Sequence, residues 1–214
     1  RKDGNRDGAL SPELEEAIRN IQAIIKESKP RDIPKRRPVG SHVTIATDGM
    51  KEPKEGEEQS HRAGVGGCIA FGNQSNRPRE FWASEVPENQ KARWSTKATI
   101  LNIELWAVLA TLEHYGPSIE GSYILACIDN LGAFFSLCKG NCKEKSSRNL
   151  VRKILRTAEK HRLSIWWEWV ESEANLADAP SRLCEESPEG QAAIRQELND
   201  PGFSEISIGP VAVV

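Results

Sequence analysis

Residues 95–130 read STKATILNIELWAVLATLEHYGPSIEGSYILACIDN. Leu101, Leu105, Val108, Leu112 and Tyr115 recur at steps of four, three, four and three, which marks one buried face of a helix spanning 95–115. Gly116 and Pro117 interrupt it, and residues 122–128 follow as an unbroken apolar run. Such a run is expected of a strand buried on both faces. A long helix feeding a buried strand is the crossover that parallel pairing needs.

The same reading extends in both directions. Upstream, VTIATD at 43–48 is β-rich and stops at Gly49, and 64–71 is a second strand closed by Gly72 and Asn73. Residues 80–85 make a third, and the polar stretch at about 50–62 reads as an insertion. Downstream come a short helix at 130–137, a longer one at 146–161, a Trp-rich strand at 163–170 and a short helical segment at 175–182. Three strands on short connections should be antiparallel neighbours, and strands separated by helices should be parallel. The expected fold class is therefore α/β: a five-stranded mixed sheet, the first three strands antiparallel and the rest joined by parallel crossovers, flanked by helices.

This domain should occupy residues 41–184. Residues 1–40 precede it, with Ser11 and Pro12 opening a helix to about Ser28 and a basic, Pro-rich linker after that. Residues 185–214 form a tail, with a helix near 190–198 and extended chain beyond.

The chain's 214 residues suffice for one core, and the formal net charge is −2. No apolar run reaches the length of a membrane span, so no membrane partner is expected. The first residue is Arg1, and no leader pattern follows it. The segment reads as cut from a longer polypeptide. Five scattered cysteines read as free thiols of a reducing compartment, hence an intracellular protein, cytoplasmic or nuclear and not secreted. The small total charge conceals a basic segment, Lys139 to Arg162, with nine Lys/Arg against two Glu.

Four acids stand where acids are costly. Asp48 closes the first strand, Glu104 points into the apolar stripe of the long helix, Asp129 ends the buried strand, and Asp178 sits in the Ala-rich run 175–180. Each has an ordinary alternative: a turn, a solvated boundary glutamate, a helix cap, a surface acid. Together they lie where sheet geometry can gather them at one edge. Four carboxylates there repel unless protonated or bridged by cations. A donor set made only of oxygen suits hard cations, Mg²⁺ first and Mn²⁺ as a substitute. Independently, Arg148, Arg152 and Arg156 repeat every four residues with Lys145 alongside, a stripe able to track phosphates.

The pieces Thr47-Asp48-Gly49, Gly64-Val65-Gly66-Gly67, Glu104-Leu105-Trp106, Ile128-Asp129-Asn130 and Asn175-Leu176-Ala177-Asp178-Ala179-Pro180-Ser181-Arg182 together resemble the ribonuclease H family. The last piece is most similar to the ribonuclease H domains of retroelement reverse transcriptases, particularly the DIRS-like kind. The resemblance implies a ribonuclease H-like fold and a two-metal endonuclease that cuts the RNA strand of RNA–DNA hybrids. Asp48, Glu104, Asp129 and Asp178 would hold both ions, and Gly49, Asn102 and Asn130 would contact the nucleic acid. It further implies covalent linkage to a polymerase domain. Many cellular members carry a His before the last Asp, but residues 170–174 here are VESEA. The alternative reading is a catalytically silent module of the same fold that binds nucleic acid or supports a neighbouring domain.

Overall fold

A computed structural model describes residues 10–27, 42–54, 57–72, 78–94, 99–184 and 186–209. The chain divides into two units, 1–38 and 39–214. In the first, helix α1 spans Pro12–Glu27 and is opened by Ser11, whose Oγ accepts the Leu14 N–H. The predicted linker at 29–40 lies outside the described residues.

The second unit is a mixed six-stranded sheet with helices on its faces. Its strands are β1 (His42–Lys54), β2 (Glu57–Phe71), β3 (Arg79–Glu85), β4 (Tyr123–Ile128), β5 (Ser164–Trp169) and β6 (Phe203–Glu205), in the order β5-β4-β1-β2-β3-β6. The pairs β1–β2 and β2–β3 are antiparallel, while β4 joins β1, β5 joins β4 and β6 joins β3 in parallel. The helices are α2 (Glu88–Lys91), α3 (Thr99–Tyr115), α4 (Leu131–Lys139), α5 (Lys145–Lys160), α6 (Asp178–Arg182) and α7 (Pro188–Asn199).

Three expectations are corrected. The sheet has six strands rather than five, because the tail returns after α7 and pairs Phe203–Glu205 with the edge of β3. The polar stretch at 50–62 is no insertion. Met50 through Pro53 pair with Gly64 back to His61, so β1 and β2 continue as one long hairpin, and Asp48 lies within β1 instead of ending it. Polar composition concealed these strands because no apolar alternation marks them. Finally, β4 is not buried on both faces: Ile124, Ala126 and Ile128 are buried, but Leu125 is 40% exposed.

The asymmetry follows from what covers each face. On the inner face, Val43, Ile45, Val65, Ile69, Ile124 and Ala126 pack with α3 and α5 through Leu105, Leu109, Leu112, Val151 and Ile154. The outer face is covered over β1–β3, where Ala46, Cys68 and Phe81 meet Ala177, Leu183, Leu198 and Phe203. Beyond that cover, Leu125 and its β5 neighbour Trp166 (68% exposed) face outward.

Candidate metal centre

Asp48 is 6% exposed and Glu104 is 5% exposed, while Asp129 directly follows β4. One carboxylate oxygen from each lies within 4.8 Å of the other two. Gly49 makes the approach of β1 to α3 possible. A Cβ there would stand 2.7 Å from Ile103 Cγ2 and 2.9 Å from the Glu104 backbone nitrogen. The Gly49 backbone also favours the ionised form of both carboxylates.

Burial dominates the electrostatics. Desolvation pushes the Asp48 pKa up to about 6, with Asp129 and Asp178 adding repulsion. The Ser181 hydroxyl and the Gly49 N–H act in the opposite direction. Glu104 is driven well above the usual carboxylate range, first by burial and then by the charges on Asp48 and Asp129. Two buried oxygens, Glu104 Oε2 and Asp129 Oδ1, have no hydrogen-bond partner. Buried oxygens without protons to accept are costly. Here they belong to a converging, oxygen-only donor set, which fits a hard divalent cation.

Asp178 stands apart from this trio. It is the first residue of α6, and its Oδ1 is 2.8 Å from Arg182 Nη2 one helical turn on. It still lies close enough to raise the Asp48 pKa. Thus three of the four predicted acids meet, while the fourth is turned to an arginine beside them.

The segment carrying Asp178 is pinned to the sheet. Asn175, buried, donates through Nδ2 to the Thr47 carbonyl at 3.1 Å and accepts the Ala177 N–H at 3.1 Å. Cys68 Sγ donates to the Leu176 carbonyl at 3.3 Å. Ser181 donates to Asp48 Oδ2, and its Oγ also lies 2.8 Å from the Asp178 carbonyl. On the other side of the trio, Trp169 Nε1 donates to the Asp129 carbonyl at 2.9 Å.

The predicted nucleic-acid contacts are placed unevenly. Asn130 caps α4 by accepting the Ala133 N–H at 3.0 Å, and its side chain also bonds Glu104. Gly49 is buried against α3. Asn102, expected at the nucleic acid, is fully buried: it donates to Ser146 Oγ at 2.9 Å and accepts from Ser147 Oγ at 2.6 Å. It ties the start of α5 to α3, two residues from Glu104. On α5 the inward side is Leu150, Val151, Ile154 and Ala158, with Leu155 turned outward. Lys145 and Arg156 are exposed, and Arg148 and Arg152 are half-buried.

Sequence reasoning missed Ser181, Arg182, Asn175 and Trp169 as neighbours of the acids. Two had a signal, since residues three and four after an acid share its helix face. Asn175 and Trp169 had none, because their partners are backbone carbonyls on other elements.

No family model matches the chain, and no curated protein matches it. Among solved structures, the chain is similar to the N-terminal RNase H domain of Rv2228c from Mycobacterium tuberculosis, with 17% identity, a TM-score of 0.49, and coverage of 74% of this chain and 99% of that one. It is similar to RNase H1 from Halobacterium salinarum, with 16% identity, a TM-score of 0.47, and coverage of 66% and 95%. It is also similar to the prototype foamy virus protease–reverse transcriptase, with 16% identity, a TM-score of 0.46, and coverage of 81% of this chain but only 22% of that one. At these scores and identities the likeness lends no weight to a function, which has to rest on the side chains.

Proposed function

We propose that this chain is a metal-dependent endonuclease domain of the ribonuclease H kind, cutting the RNA strand of RNA–DNA hybrids. The observation that carries this reading is the trio Asp48, Glu104 and Asp129, whose oxygens fall within 4.8 Å of one another. Such a site takes Mg²⁺, or Mn²⁺ as a substitute. A divalent cation there supplies Lewis-acid activation of water and neutralises charge developing on a scissile phosphate. The protein's own part is to hold the trio dry and rigid: Gly49 allows the close approach, Asn130 orients Glu104, and Trp169 fixes the Asp129 backbone. Asp178, beside the trio, would be the further carboxylate available to hold a second ion. Lys145, Arg148, Arg152 and Arg156 present positive charge for the backbone of the hybrid, and the 2′-hydroxyls mark the RNA strand.

The motif from Asn175 to Arg182 supports a place in a DIRS-like retroelement reverse transcriptase, joined to a polymerase segment, and the scattered cysteines support a reducing compartment, cytoplasm or nucleus. No helix among the described residues is long and apolar enough to cross a membrane. A second reading, the silent module, is favoured by one observation: Asp178 is paired with Arg182 rather than with the trio. The deciding measurement is cleavage of labelled RNA–DNA hybrid, double-stranded RNA and DNA, with and without Mg²⁺ or Mn²⁺. Hybrid-selective cutting that needs the ion and falls to background in Asp129→Asn is the expected result. Hybrid binding without turnover in the wild type would establish the silent module instead.

A further inference from the structure

Asp48 faces Gly66 across the β1–β2 ladder. Paired residues of antiparallel strands share a face, so the side chain missing at Gly66 leaves a gap beside Asp48. Segment 180–181 fills that gap. A Cβ at Gly66 would lie 2.4 Å from Ser181 N and 2.6 Å from the Pro180 carbonyl carbon, and one at Gly64 would lie 2.2 Å from Ser181 O. Backbone atoms cannot move aside as a flexible side chain can, so β2 accepts α6 at this depth only with glycines beneath it. Ser181, fully buried, then delivers its hydroxyl to Asp48 Oδ2. One hydroxyl proton serves one acceptor at a time. The Asp178 carbonyl, 2.8 Å from the same Oγ, is the competing acceptor for that proton.

We propose that Ser181 is a positioning residue for the candidate cation site: seated on Gly64 and Gly66, it holds one oxygen of Asp48 and leaves the other for the ion. This rests on the cation-binding reading above. An acid at the centre of a metal site needs an outer partner to fix its rotamer, and loss of such a partner lowers metal affinity about 10–100-fold. The assignment also joins two separate sequence motifs, the glycines of β2 and the serine of α6, in one task.

The test is Mn²⁺ binding by calorimetry to the full chain and to Ser181→Ala, Ser181→Cys, Gly66→Ala and Asp129→Asn, with melting temperatures recorded without metal. Ser181→Cys leaves no cavity while weakening the donor, so it remains informative if the alanine variant folds poorly. The expected result is an affinity lowered about 10–100-fold in Ser181→Ala and Ser181→Cys, measured on folded protein. Gly66→Ala, which displaces the backbone but keeps the hydroxyl, should weaken binding as well. Wild-type affinity in both serine variants, with binding lost in Asp129→Asn, would overturn the role of Ser181 and leave the cation site standing. Absence of Mn²⁺ binding by the wild type would overturn both.

Discussion

Asp48 and Glu104 are both buried and both carry raised pKa values, and the sign of that shift has consequences. A carboxyl raised from 3.8 to about 6 on folding gives stability that is fully present below the lower value and lost as pH rises through the upper one. The metal-free protein therefore bears a growing penalty as Asp48 ionises, and a divalent cation removes it. Melting temperatures should rise on adding Mg²⁺ or Mn²⁺ at pH 7.5 and much less at pH 5, where protons occupy the same oxygens. With cation at a hundred times its Kd the gain is about 2.7 kcal/mol. An equal rise at both pH values would place the ion elsewhere. Glu104→Gln should make the metal-free protein more stable at pH 7.5, by about 2–4 °C for each kcal/mol of relieved charge burial, while abolishing its response to the ion. Differential scanning calorimetry reads both effects.

At the scale of elements, α3 and α5 form a pair. Asn102 on α3 clasps Ser146 and Ser147, and Glu144 accepts the Ser147 N–H at 2.8 Å as the cap of α5. Lys153 reaches back to Glu113 on α3 at 3.0 Å. The basic helix is thus fixed to the helix that carries Glu104. Lys145→Ala and Arg148→Ala should each weaken hybrid binding uniformly across sequences and reduce the slope of log affinity against log salt by about one. A titration over salt concentration checks this, and an unchanged slope would exclude that side chain from the phosphate track. Helix α3 was legible in the sequence because its apolar residues recur at helical spacing, whereas the single turn α2 was not read. The extension of β1 and β2 was not legible, since polar cross-strand pairs such as Glu52 with Arg62 leave no apolar alternation to read. The role of Asn102 was hidden for a related reason: its partners lie 44 and 45 residues away. The four acids could be read as anomalies of position, but Asp178's pairing with Arg182 belongs to side-chain geometry that spacing permits without requiring.

Over the whole sheet, cover is uneven. The residues after 184 add α7 and β6 and seal the outer face over β1–β3, leaving the β4–β5 end bare, with Trp166 the most exposed of the large side chains there. A strand that reads as apolar throughout can still have an open face, because burial depends on which neighbours the chain supplies later. The uneven cover also sets the six tryptophans in very different surroundings. Trp82 is fully enclosed, Trp166 is mostly in solvent, and Trp169 is part-exposed with its indole N–H bonded to the Asp129 carbonyl. That last bond makes the protein its own optical probe. Ion capture by Asp129 alters the field at a single indole, so intrinsic emission should change on titrating Mg²⁺, saturate with the calorimetric Kd, and lose that change in Trp169→Phe. A site proposed from the position of its acids could then be followed in solution by light, with no label attached.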